Sequence, residues 1–373
     1  MNKKTRLVEE LKQKDPRIFN MLLGFDGFVD EIIHVVDKRQ DPENFTRVKT
    51  IQDFANKIQR ASGLSSNIEF VPIQTKLGGN GPIMCNALSK HQADITYVGT
   101  LGYPNMHPVF KDLSEKVTCI SIEKYGDTQA VEFNDGKIII GKMNNLINVD
   151  YDHLIDIVSE DQIVAMLNQA DLFASLNWSM LPYMTNIWQN IIANILPKLA
   201  KKDKKPLMFI DIADPEKRES NDIREALDLL KLFKTHFRVA LGLNKKEAYD
   251  VSVTLKLFSE DDINNKSLED VNKALYDYLD IDYVVIHPVE CSSLVFEGKF
   301  YQEDGPYIKE PKLTTGAGDN FNAGFVLGLL LDLKPHEALL TGMSTSGYYV
   351  RHADSPTYKE LIQFIDNWNN NLI

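Results

Sequence analysis

Six residues, Thr314-Thr315-Gly316-Ala317-Gly318-Asp319, set small side chains and then one carboxylate at the head of an apolar run, Phe321, Ala323, Phe325, Leu327, Leu329 and Leu330. At a helix N-terminus the unpaired N–H groups of Gly316, Ala317 and Gly318, reinforced by the helix dipole, make a place for an anion. Glycine supplies the backbone freedom that such a nest of N–H groups requires. A carboxylate beside an anion hole is repelled by bound phosphate unless it is there to take a proton. Asp319 therefore reads as a general base next to an oxyanion-type site. The plainer alternative is a glycine loop with an Asp cap on a buried helix.

Spacing excludes two other phosphate-binding designs. The dinucleotide fingerprint needs a third glycine where Phe321 stands, and no glycine loop here ends in Lys followed by Ser or Thr.

Three more polar clusters carry chemistry. Asp26 and Asp30 lie four apart just past a buried run, where each carboxylate can accept sugar hydroxyls in charge-assisted hydrogen bonds, Asp30 being favoured over Asp26. Gly78-Gly79-Asn80-Gly81, followed by Pro82 near the start of a helix, offers bare backbone to a polyol, or else forms a tight strand-to-helix turn. Asn244 and Glu247 share one face of a helix and suit hydrated Mg²⁺ with phosphate oxygens; an Asn cap with Glu at the third position explains the same spacing.

The elements that position these residues alternate. Strand-like runs fall at Met21–Phe25, Ile95–Val98, Leu172–Leu176, Leu207–Ile210, Val239–Leu241 and Tyr283–Ile286, with helical patterns at Pro82–Lys90, Tyr183–Leu199, Asp222–Phe233, Lys245–Val251 and Ser267–Leu279. Such alternation predicts a doubly wound, mostly parallel α/β sheet with helices on both faces. Ligands in such sheets bind beyond the carboxyl ends of the strands, where Asp26, Asn177, Asp211 with Asp214, and Asn244 also stand. Thr128–Phe133 and Lys137–Lys142 alternate apolar and polar residues around Asn134-Asp135-Gly136, a hairpin signal that leaves lid and sheet edge equally open. The whole chain, 1–373, reads as one unit.

Composition is that of a globular protein, with 373 residues, 43% hydrophobic and 25% charged. A formal charge of −12 argues against nucleic-acid and anionic-membrane partners. No apolar stretch reaches the length of a membrane span, and Cys85, Cys119 and Cys291 lack metal-ligand spacing, so a cytoplasmic location is expected.

Taken in chain order, these motifs resemble the ribokinase-like (PfkB) carbohydrate kinase family. Thr314–Asp319 matches its C-terminal signature, Gly78-Gly79-Asn80-Gly81 resembles its N-terminal glycine motif, and Asn244-Lys245-Lys246-Glu247 resembles its Asn-x-x-Glu element. The resemblance implies a β-sheet lid over the sugar, its strands inserted within 31–76 and 117–143, and transfer of the ATP γ-phosphoryl group to a sugar hydroxyl. Asp319 would be the base; Gly316, Ala317 and Gly318 would hold the transferring group. Asp26, Asp30, Gly78, Gly79 and Asn80 would position the acceptor. Asn244, Glu247, Thr315, Gly316 and Gly318 would contact nucleotide, with Glu247 reaching Mg²⁺ through water. Exposed lid strands often pair between subunits, so a homodimer through the lid is expected.

The chain departs from the pattern in places. Leu313 stands where many members have an Asp associated with a monovalent-cation site, and Ile83 replaces an Asn, with Asn86 further on. That later Asn and Gly24–Asp30 resemble ADP-dependent sugar kinases, whereas Thr314–Asp319 has the form of the ATP-dependent branch. A nucleoside kinase and a catalytically idle sensor are the other readings. His287-Pro288 replaces a glycine-containing nucleotide loop, with His287 read as structural. No basic cluster marks a phosphorylated acceptor, although Lys142 and Arg351 stay open as ligands for one.

Overall fold

The apolar runs become parallel strands, and their continuous hydrophobicity has a plain cause: each is covered on both faces. The computed structural model describes residues 2–373. Its strands are β1 (Asn20–Phe25), β2 (Phe28–Arg39), β3 (Phe45–Arg47), β4 (Phe70–Gly78), β5 (Asp94–Gly99), β6 (Thr118–Ser121), β7 (Gly126–Phe133), β8 (Gly136–Lys142), β9 (Leu172–Leu176), β10 (Leu207–Asp211), β11 (Arg238–Leu243), β12 (Tyr283–Ile286), β13 (Cys291–Phe296) and β14 (Lys299–Asp304). A nine-stranded sheet runs β14-β13-β12-β11-β10-β9-β1-β5-β6. Its pairs are parallel from β12 to β6, and only β13 and β14 run antiparallel at one edge. β9 and β10 are buried along their whole length, as central strands between two helical layers must be.

Parallel register brings the carboxyl ends to one rim. Gly24 pairs with Ser175, Asp211 with both Leu176 and Gly242, and Leu243 with Ile286. Two helices pack there against the same face of the sheet. The helix Ala317–Leu330 is buried from Asp319 to its end, and the helix Asn80–Ser89 lies beside it. Burial on that scale, at roughly 1.5–3 kcal/mol per large apolar side chain, holds the first turn of Ala317–Leu330 against the rim.

Helix boundaries differ from the pattern in instructive ways. Asn80–Ser89 begins two residues before Pro82, which still falls within the first turn, where a missing N–H costs no hydrogen bond. The expected long helix after Tyr183 is α-helical over Met184–Asn190, widens to a π-turn over Ile191–Ile195 and ends as a 3₁₀ turn at Leu196–Lys198. Pro197 lacks the N–H needed to continue an α-helix.

The second sheet is the lid. It has five strands in the order β3-β2-β7-β8, with β4 added along β2. β2 pairs antiparallel with β4 and parallel with β7, and the β7–β8 hairpin turns at Asn134-Asp135. The lid thus starts at Phe28, while Thr118–Ser121, inside the stretch 117–143, is an edge strand of the large sheet. The long segment between β2 and β4 adds β3 to the sheet beside the end of β2 and folds the helix Ile51–Gln59 onto one face of the lid. There Val35, Val48, Phe54, Val131 and Phe133 form a hydrophobic cluster of their own. Among the described residues no helix is long and apolar enough to cross a membrane.

Candidate active site

Two cavities meet at one loop. The first, of about 670 Å³, lies between the lid and the large sheet, and Asp30, Lys76, Thr128, Lys137, Leu313 and Thr315 line it. The second, of about 340 Å³ and mostly apolar, is lined by Asn244, His287, Thr314, Ala317, Gly318 and Tyr307 among others. Alternate residues of the loop therefore face opposite chambers, Leu313 and Thr315 one way, Thr314 the other. Gly316, with φ of +89°, turns the chain into the helix Ala317–Leu330. A side chain there would be strained by that φ, and its Cβ would fall 2.9 Å from the Tyr349 hydroxyl. That hydroxyl donates to the Thr315 carbonyl at 2.8 Å and pins the loop from behind.

Asp319 occupies the first turn of that helix, 8% exposed, next to Gly318, which lines the smaller cavity. Its carboxyl is held well above the usual range, first by burial, then by Asp211 and Asp26, with Asn80 pulling the other way. The surroundings of this carboxyl, at a helix N-terminus, thus favour its protonated form.

Around it stand further acids. Asp211, at the end of β10, accepts from the Ala213 N–H at 2.7 Å and the Asn322 amide at 2.8 Å; burial pushes its pKa up to about 6. Glu247 is pushed up to about 9 by burial and by Asp211. Asn244 and Glu247 form a reciprocal capping box, the Glu247 N–H donating to Asn244 Oδ1 at 2.9 Å and the Asn244 N–H to Glu247 Oε2 at 2.8 Å. The capping alternative is thus realised, and it orients a buried carboxylate toward the other acids. Such a set of mutually repelling carboxylates fits a hydrated divalent cation, which would let them ionise together. Among the described residues no three His, Cys, Asp or Glu side chains are grouped so as to hold a metal directly.

Asp30 and Asp26 part company. Asp30 faces the larger cavity from β2, accepts from Thr128 Oγ1 at 2.7 Å, and sits across the strands from Lys76 and Thr128. Asp26 is fully buried and lies outside that cavity's lining. Its oxygens are taken by the Gly81 N–H at 2.9 Å and the Asn177 amide at 2.7 Å, so it anchors the glycine turn. Burial raises it to about 6. Gly79 precedes the helix Asn80–Ser89, whose residues Ile83 and Asn86, one turn apart, both line the larger cavity.

A family profile described as prokaryotic ketohexokinase matches residues 4–368. The chain belongs to this family. It is 27% identical over 350 residues to a ketohexokinase of Haloferax volcanii, covering 93% of this chain and 91% of that one. Its fold is that of an Arabidopsis thaliana ribokinase complexed with ribose and ATP (TM-score 0.63, 16% identity, 93% and 98% coverage). It is also that of a Thermotoga maritima ribokinase (TM-score 0.61, 15% identity, 94% and 99% coverage). The ribokinase-like resemblance and the doubly wound fold with a separate small sheet are borne out, and the protein is a sugar kinase.

Some residues of this kinase lie where sequence reading had not put them. Lys137 and Thr128 line the larger cavity. Their signal was the alternation of the hairpin, which places Thr128, Ala130, Glu132, Lys137 and Ile139 on one face. Lys142 lies on the opposite lid face, in a smaller cavity, and Arg351 is spent on the Gly347 and Tyr307 carbonyls. His287 packs against Phe321 with ring centroids 4.7 Å apart and the planes tilted by 31°, and burial lowers its pKa to about 4.

Proposed function

We propose that this chain transfers the γ-phosphoryl group of ATP to a hydroxyl of a ketohexose. The observation that carries this reading is the single loop, Leu313–Gly318, that borders an apolar chamber on one side and, on the other, a lid-covered chamber lined by Asp30, Lys76 and Lys137, and that leads into the helix whose first turn holds Asp319. Family membership supplies the ketohexose, and the apolar chamber suits a nucleotide base.

Each residue then has a task. Asp30, steadied by Thr128, accepts hydroxyls of the sugar, and Gly78 and Gly79, lacking side chains, leave room for the Asp30 and Asp26 carboxylates. Asp319 takes the proton of the attacking hydroxyl as the bond to phosphorus forms and the bridging oxygen to ADP departs. The N–H groups of Ala317 and Gly318 stabilise charge on the transferring oxygens. Asp211 and Glu247 would hold Mg²⁺ through water, and the ion when bound would neutralise phosphate charge. Asn244, capped onto Glu247, and Thr314 border the nucleotide chamber.

The test is ADP release with a panel of ketohexoses, aldohexoses and nucleosides, using wild type and Asp319→Asn. Turnover is expected with a ketohexose, falling about 10²–10⁴-fold in the variant while nucleotide affinity holds. A variant with a near-normal rate would remove Asp319 from the role of base, and turnover confined to nucleosides would overturn the acceptor.

A further inference from the structure

The lid touches the anion-binding loop through a lysine. Lys137, the second residue of β8, donates its ammonium to Oγ1 of Thr315, the residue just before the glycine that caps the helix Ala317–Leu330. Among the described residues it forms no ion pair, although Glu132 is its partner across the hairpin and Asp30 feels its charge. A cation with a hydroxyl partner, at the mouth of an anion hole, in a chain of formal charge −12, is placed for an incoming anion.

Its platform is built to hold it there. The Asn134 N–H donates to the Lys49 carbonyl at 2.8 Å, the Arg47 guanidinium donates to Asn134 Oδ1 at 2.6 Å, and the Ile51 N–H donates to Asp135 Oδ1 at 3.0 Å. The hairpin tip is thereby tied to the lid's own core, so Lys137 is presented by a packed unit. Inside the site, Asp211, Glu247 and Asp319 confront the phosphates with negative charge, and the loop offers N–H dipoles against it. A compact ammonium on a flexible stem suits a phosphate whose oxygens gain charge as it transfers.

We propose that Lys137 exchanges the Thr315 hydroxyl for an oxygen of the donor's terminal phosphoryl group, so that the lid itself recognises a nucleoside triphosphate. The proposal rests on the phosphotransfer reading in one respect, that donor phosphates lie at the N–H groups of Ala317 and Gly318. It needs no sugar and no turnover.

Calorimetry with Mg²⁺ and no sugar compares ADP with a non-hydrolysable ATP analogue on wild type, Lys137→Met and Lys137→Arg. The methionine variant is expected to weaken the triphosphate analogue about 10-fold or more while ADP stays within about twofold, as loss of one charge-assisted hydrogen bond implies. Arginine is expected to restore most of the preference. In turnover, kcat of Lys137→Met is expected to fall about 10–10²-fold with the sugar KM within about threefold. Equal weakening of both nucleotides, or of neither, overturns the proposal even if the wild type phosphorylates sugar. Conversely, a wild type inactive on every ketohexose but showing the Lys137-dependent triphosphate preference overturns the acceptor reading alone. A wild type that binds neither nucleotide overturns both.

Discussion

The bare α-carbon of Gly78 leaves room for Asp30, and filling that space is a sharp test of how the sugar is held. A Cβ at Gly78 would lie 2.4 Å from the carboxylate carbon and from both its oxygens, about 1 Å inside van der Waals contact. Because Thr128 grips one oxygen at 2.7 Å, the carboxylate of Gly78→Ala must swing away from its present place. Losing one hydrogen bond to a charged group costs about 1.5–3 kcal/mol, which is roughly 10- to 150-fold in sugar affinity. An ADP-release assay is expected to show that rise in the sugar KM, with the ATP KM within about twofold. The double variant Gly78→Ala/Asp30→Ala is expected to be no worse than Asp30→Ala alone, since both act through one carboxylate. An unchanged sugar KM, a selective rise in the ATP KM, or additive effects in the double variant would refute the reasoning.

Three other outcomes follow from the acid cluster. Because Asp211 helps hold the Asp319 carboxyl high, Asp211→Asn is expected to move the acid limb of the kcat/KM profile to lower pH; an unmoved limb would remove that coupling. Glu247→Gln keeps an oxygen for the Asn244 N–H but loses the charge, so half-maximal activity is expected to need severalfold more Mg²⁺, and an identical titration would leave Glu247 as a cap only. Asp26 has its folded pKa raised from 3.8 to about 6, so its contribution to stability is full below the unfolded value and lost as pH rises through the folded one. Urea unfolding between about pH 4 and 6.5 is therefore expected to show a smaller loss of stability on raising pH for Asp26→Asn than for wild type, and parallel curves would contradict it.

The fold and much of the site were legible because both follow local rules. The six apolar runs fell on central strands since two-sided burial demands them, and Gly316–Asp319 announced its helix through the run that follows it. Asp26 was harder: it stands four residues from Asp30, yet the turn between β1 and β2 carries one carboxylate under the helix Asn80–Ser89 and the other out over the cavity. No short-range pattern separates those fates, since they depend on Asn177, far along the chain. Lys137 was missed for a similar reason. Its partner Thr315 is distant in sequence, and only the docking of lid over loop brings them together.

That the wall between the chambers is one strand of chain thick also has a thermodynamic consequence. In the proposed reading, with sugar in one chamber and nucleotide in the other, a displacement of Thr314 also shifts Thr315 on the opposite side, which would link the two affinities. By reciprocity, whatever factor the sugar imposes on nucleotide binding the nucleotide imposes on the sugar. An acceptor preference in this fold is then partly written from the donor's side of the partition.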